Sequence, residues 1–368
     1  MAQKKKKDPG ANYRDEVRRL RETGPERLYV LCGEEEYLRE QFLTELKKQC
    51  LPGGEDDFCY HRFDGAALEL HELADAVDAV PFLSERTLLE VRGYDTNKLS
   101  EKDSKRFVAL LEDLPDYCTL VFVMDAAFSL DGRLKASKAL QNLGRVLVFR
   151  GQDGTALVKW VAMRFGAVGK RITVADAEYL IMITGGLMNR MIPEIEKLSA
   201  FSKDEVITRA EIDALVEKVP DAVVYEMLDL IAERRGDAAM QKLSELLSDK
   251  NIAKTQNNEK GKDKSSDRNS VPISLLAAVG SQMRRLYAAK CAQAERLSSA
   301  DLMAICGLQY EFIARKLLQS ARGFSLPQLE HAVQLCAETD FAMKRTNADG
   351  AVLLLQDLIL RLLAEAAA

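Results

Sequence analysis

The stretch YVLCGEEEYL, Tyr29 to Leu38, has the outline of a phosphate-binding corner. A short apolar run ends at Gly33 and a helical pattern begins at once. A working phosphate loop needs GxxxxGK[ST]. Its glycines let backbone N–H groups close around phosphate, its lysine supplies counter-charge, and its hydroxyl reaches the metal. Here Gly33 is followed by Glu34, Glu35 and Glu36, with no second glycine, lysine or hydroxyl in place. Acids in a first helical turn suit the helix dipole. They would also repel a triphosphate. The plainer alternative is the capped helix of an ordinary α/β protein. ATPases of this layout also hold Mg²⁺ with acids at the end of a later strand. RTLLEVRGYD ends instead in Val91, Arg92 and Gly93, and Asp125 ends TLVFVMD alone. ATP hydrolysis is therefore not expected, and nothing calls for a cofactor.

A second feature is apolar. Leu70, Leu73, Ala74, Val77 and Val80 share one helical face. Pro81 disfavours helical geometry at the residue before it, so the helix is expected to end near Val80. Pro81, Phe82 and Leu83 then lie in a short connection, where a turn does not require bulky apolar residues. They either fold back onto the core or form an exposed anchor for a partner's pocket. A third feature is basic. QMRRLYAAK places Arg284, Arg285, Tyr287 and Lys290 within two helical turns, a candidate contact for a DNA backbone or else a solvated helix face. The start of the chain, Lys4 to Lys7 and Arg18 to Arg21, reads as a basic, flexible tail over residues 1–27.

Other chemistries are poorly supported. His61, His71 and His331 are scattered, and no two cysteines lie closer than Cys50 and Cys59. Neither zinc spacing nor a disulfide framework is visible, and no metal site is expected. No cluster of carboxylates suggests nucleotidyl transfer. The net charge of -5 gives the whole chain no strong bias toward nucleic acid or membrane. The apolar segment AVLLLQDLILRLLAEAAA is interrupted by Gln356, Asp357 and Arg361 and reads as an amphipathic helix, so a cytoplasmic location is expected.

The elements that must position these residues fall into an ordered pattern. From Leu28 to Arg150, the runs LYVLC, DFCYHRF, RTLLEV, TLVFVMD and RVLVFR alternate with helical segments. That predicts a parallel α/β sheet. Beyond Arg150 the pattern is helical, with no convincing strand. Residues 151–220 read as a small helical domain stopped by Pro220, and residues 221–368 as a larger one. Ser325 reads as a helix N-cap with Pro327 in the first turn. Residues 250–270, rich in Lys, Asn, Ser and Asp, read as a disordered insertion.

In order and spacing, several of these segments resemble the delta subunit of the bacterial DNA polymerase III clamp loader. They are LYVLCGEEEYLRE, PFLSERTLLEV, TLVFVMDAAFSLDGRLKASKAL, GGLMNRMIPEIEKLSAF and ETDFAMKRTNADGAVLLLQDLIL. The resemblance implies an AAA+-like α/β domain with a degenerate nucleotide site, a helical lid and a helical collar. It implies a subunit that binds the sliding clamp, the beta subunit, and opens its ring beside gamma/tau and delta prime. The loader then places the clamp on primed DNA. Other subunits bind the ATP, and a DNA polymerase label attaches through the holoenzyme. The family's clamp contact, an apolar pair before the third strand, falls at Pro81 and Phe82. Pro81 departs from the usual aliphatic residue, so Leu83 is a candidate second anchor. Pro193, just before EIEKL where an unbroken helix would fit the pattern, also departs from it and is read as the start of a new helix.

Three other readings compete with this one. An active AAA+ ATPase lacks its GK[ST] and its acidic pair. A delta-prime-type subunit lacks zinc-site cysteines and a Ser-Arg-Cys motif. A helical scaffold subunit of a loader-type assembly, with no direct clamp role, differs only in what it binds.

Overall fold

The computed structural model describes residues 11–51, 53–54, 58–82, 84–247 and 270–367. The chain divides into two compact units, residues 1–152 with 187–189, and residues 153–186 with 190–368. The stretches read from sequence as lid and collar thus lie together in the second unit.

In the first unit, five strands form one parallel sheet in the order β2-β3-β4-β1-β5. They are β1 (Leu28–Cys32), β2 (Tyr60–Asp64), β3 (Thr87–Arg92), β4 (Cys118–Val123) and β5 (Arg145–Val148). Each overlaps one of the apolar runs. The central strands β1 and β4 are buried along their whole length, as is all but the last residue of β3. Strands covered on both faces read as continuous apolar runs rather than alternating ones. The edge strand β2 is only partly buried. Register pairs Val30 with Phe122 and Leu31 with Leu147, so β1 is held on both sides up to the corner that follows it.

Helices α2 (Glu36–Cys50), α3 (Leu70–Asp78), α4 (Glu101–Glu112) and α5 (Lys135–Leu143) connect the strands. The core on one side gathers Leu73, Val77, Phe107, Leu111, Phe122 and Leu140. Helix α3 stops at Asp78, and Ala79 is already extended.

The expected flexible tail is corrected over residues 13–23. They form a helix, α1 (Tyr13–Thr23), capped by Asn12 and ended at Gly24. Its buried residues are Val17 and Leu20, and Glu16 accepts a forked pair of bonds from Arg145 at 2.7 and 3.1 Å. Its basic residues are the outer face of an amphipathic helix. Lys4 to Lys7 lie outside the described residues, and so does the expected insertion up to residue 269.

The second unit is helical, with α6 (Gly154–Gly166), α7 (Val174–Thr184), α8 (Met188–Phe201, its first residues grouped with the first unit) and α9 (Arg209–Leu215). Two two-residue strands, β6 (Arg171–Ile172) and β7 (Val206–Ile207), pair in parallel, where the sequence suggested no strand. Two residues are too few to leave a periodic signal. Pro193 lies inside α8 rather than starting a helix. Pro220 starts α10 (Pro220–Ala232) rather than stopping α9, because a missing N–H costs nothing in a first turn.

Then follow α11 (Gly236–Leu246), α12 (Ser270–Ala294), α13 (Ser299–Cys306), α14 (Glu311–Ser320), α15 (Leu326–Met343) and α16 (Ala348–Ala367). Ser325 caps α15 in a capping box with Gln328. Helices α10 to α16 share one core that includes Met227, Ile231, Met283, Leu317, Leu329 and Leu355. At the start of α14, Tyr310 stacks on Phe312 at 5.2 Å and its hydroxyl donates to the Gly186 carbonyl at 3.3 Å. Gly186 has φ +77, and a Cβ there would collide with the Tyr310 hydroxyl.

Candidate functional site: an acid-filled corner and an apolar tip

The corner after β1 is short. Only Gly33, Glu34 and Glu35 separate β1 from α2, so Glu36 alone of the three acids lies in the helix. Gly33 has φ +106, and a Cβ on it would run into the Phe149 carbonyl. That carbonyl accepts the Glu35 N–H at 3.0 Å. The glycine is required by close approach of the chain after β5.

Each acid holds something else. Glu34 accepts from the Gly151 N–H at 3.1 Å. Glu36 accepts from Asn189 Nδ2 at 2.9 Å. Glu35 is 0 % exposed, and its Oε2 accepts from the Met188 N–H at 3.3 Å. Burial pushes the Glu35 carboxyl up to about 7, against the pull of the Met188 and Tyr37 amides and with help from neighbouring Glu34 and Glu36. Beside it, Arg39 donates to the Gly33 carbonyl at 3.0 Å.

The end of β3, where an ATPase would place metal-binding acids, carries a cation. Arg92 forks onto Glu40 at 2.8 and 2.7 Å and also bonds Glu90. Glu90 is fully buried, and it accepts from Tyr60 Oη at 2.7 Å and pairs with Lys47 at 2.9 Å. Burial pushes its carboxyl up, but the bonds from Tyr60, Lys47 and Arg92 outweigh burial and hold it below the usual range. Sequence reading missed this cluster. A glutamate inside an apolar strand run was its only signal, since a buried charge demands partners. Among the described residues, no group of three or more His, Cys, Asp or Glu could hold a metal ion, and no helix is long and apolar enough to cross a membrane.

The apolar tip lies between α3 and β3. Phe82 is 70 % exposed and Val80 74 % exposed, while Pro81 is half-buried. Leu83 lies outside the described residues. The Phe82 backbone is gripped by one thiol: Cys59 Sγ accepts from its N–H at 3.3 Å and donates to its carbonyl at 3.4 Å. Phe58, next to Cys59, is 85 % exposed. It was assigned to a strand by the run DFCYHRF, but the strand starts only at Tyr60. Val80 was counted with the buried face of α3, which ends before it.

The basic candidates sit on α12. Arg284 is exposed. Arg285 donates to Tyr225 Oη at 3.0 Å, and Lys290 donates to the Ala321 carbonyl at 3.2 Å. Tyr287 packs against the helical core. Three of the four are thus partly engaged inside the unit.

The described residues thus form a parallel five-stranded sheet with an acid-filled corner and no phosphate loop, followed by a helical region. Comparison with known proteins agrees. The family model for the DNA polymerase III delta subunit matches residues 29–150, and the model for that subunit's C-terminal domain matches residues 264–362. The chain belongs to the DNA polymerase III delta subunit family, the delta subunits of the clamp loader. It is 24 % identical over 338 residues to DNA polymerase III subunit delta of Bacillus subtilis, covering 89 % of this chain and 90 % of the relative. It is 25 % identical over 233 residues to a probable delta subunit of Aquifex aeolicus, covering 61 % and 64 %. The solved structure of the Bacillus subtilis clamp loader delta protein matches with a TM-score of 0.51 at 21 % identity, over 96 % of this chain and all of that one, a likeness of fold.

Proposed function

We propose that this chain binds the sliding clamp through the tip around Phe82 and opens one interface of the ring, so that the assembled loader can place it on primed DNA. The observation that carries this reading is the exposed Phe82, presented on a short connection and held by the Cys59 thiol. A large aromatic left in solvent yet fixed at its backbone is preorganised for a partner's pocket. Pro81 and Leu83 flank it as further anchors. The chain itself hydrolyses no ATP and transfers no nucleotide, and a polymerase label belongs to the holoenzyme. Gamma/tau and delta prime are the proposed neighbours. Leu353 and Leu360, seven residues apart on α16 and both exposed, support a collar face that packs against them. Arg284 is the best placed of the proposed DNA contacts. The proposed site of action is the cytoplasm.

The test is a titration of the purified chain with its organism's sliding clamp, beside Phe82→Ala and Leu83→Ala. Phe82→Ala should weaken binding at least tenfold, since a buried aromatic anchor contributes on the order of 2 kcal/mol. Its unfolding midpoint should not move, because an exposed side chain contributes little to the core. Tight binding indifferent to both changes would remove the anchor. Absence of binding by the unaltered chain, also in the assembled loader, would leave a scaffold subunit.

A further inference from the structure

The three acids of the corner each reach a different part of the chain, and this arrangement has a recognisable chemistry. In nucleotide-binding α/β proteins, phosphate oxygens accept N–H groups from the start of the helix after β1. The bound anion thereby organises the backbone around it. Here the acids at that helix start instead accept from N–H groups of segments distant in sequence. Glu34 takes an amide from residue 151, Glu35 the first amide of α8 at Met188, and Glu36 the side-chain amide of Asn189. Residues 187–189 group with the first unit, as this clasp requires.

We propose that the Glu35 carboxylate is an internal anion that occupies the role of a nucleotide phosphate, holding residues 187–189 against the corner with no nucleotide bound. Three observations carry it. Glu35 is 0 % exposed, which is rare for an acid with no ion pair among the described residues. Its carboxylate is spent on the Met188 amide at the N-terminus of α8, where the helix dipole favours negative charge. Its other oxygen, Oε1, has no hydrogen-bond partner among the described residues. A buried acid kept on these terms is a positioning residue rather than a packing one. The groups around it are Glu34 and Glu36 on either side in sequence, Arg39 one turn along α2, and Asn189 beside Met188.

The clasp is independent of the clamp reading, because neither Phe82 nor Cys59 takes part in it. The experiment is amide hydrogen exchange at fixed pH 8 on the full chain, followed at a peptide covering residues 187–192 and at one in β4. Glu35→Ala should speed exchange at 187–192 at least tenfold and leave β4 unchanged. Added sodium formate, a small carboxylate, should restore most of the protection in Glu35→Ala. It should do nothing to the unaltered chain. Unchanged exchange in Glu35→Ala would overturn the proposal, and so would loosening that formate fails to reverse. If Glu35→Ala does not fold, Glu35→Gln serves in its place. It keeps the shape and loses the charge, so exchange at 187–192 should rise severalfold, and no rise would overturn the proposal.

Discussion

Glu35 and Phe82 invert the usual rule for where side chains go, one an acid with no exposed surface and the other an aromatic largely in solvent. For Glu35 the consequence is a pH dependence of stability. Its pKa is about 7 in the folded chain, against 4.5 as the ordinary value. The folded state therefore holds this proton more tightly than the unfolded state. Between those values stability falls as pH rises, and the cost is fully present above about pH 7, on the order of 3 kcal/mol. Glu35→Gln should remove that slope. Urea unfolding of both chains at pH 5 and pH 8 checks it: the difference between them should grow in favour of Glu35→Gln at pH 8. An equal difference at both pH values would show that the carboxyl is not titrating in this window. Glu90 works in the opposite sense. Its lowered pKa supplies stability above its ordinary range that is lost in acid, below the window used for Glu35.

At the scale of elements, the corner depends on how closely the chain after β5 approaches β1. Gly33 is the point of contact, with a positive φ and the Phe149 carbonyl where a Cβ would go. Gly33→Ala must strain the backbone and push β5 away, at a cost on the order of 3 kcal/mol. The urea midpoint should fall accordingly, and a midpoint within error of the unaltered chain would show that the approach is not fixed by this residue. Helix α1 teaches a related lesson. Its arginines Arg18, Arg19 and Arg21 looked like a mobile basic arm. Yet Val17 and Leu20 lie on its inner face, and Glu16 is bonded across 129 positions to Arg145. A single helical stripe of two apolar residues is easily hidden by a basic composition. The tip follows the same logic in reverse: α3 ends early, and this leaves Val80 in solvent beside Phe82.

Across the whole molecule, the family assignment and the corner point the same way. The described residues include no phosphate loop, and Glu34, Glu35 and Glu36 are committed to protein contacts. The purified chain should therefore retain no labelled ATP in equilibrium dialysis with Mg²⁺. Binding at micromolar affinity would show that the corner can open and that the acids are a gate rather than a substitute.

The sequence alone was enough for β1, β3 and β4, because strands buried on both faces read as continuous apolar runs, and the alternation with helical segments added β2 and β5. It was enough for the loss of the phosphate loop, since that chemistry demands particular residues at particular spacing. It also singled out Phe82, whose size is unexplained by a turn. The tertiary structure decided what the acids do instead. Met188 and Asn189 stand more than 150 positions from Glu35 and Glu36 in the chain, and no local pattern announces such a bond. It likewise revealed the Cys59 grip on Phe82, the partners of Glu90, and the commitment of Arg285 and Lys290 to bonds inside their own unit. Periodicity records which face of an element is buried, whereas hydrogen bonds between distant segments depend on where folding brings them, and only the folded chain fixes that.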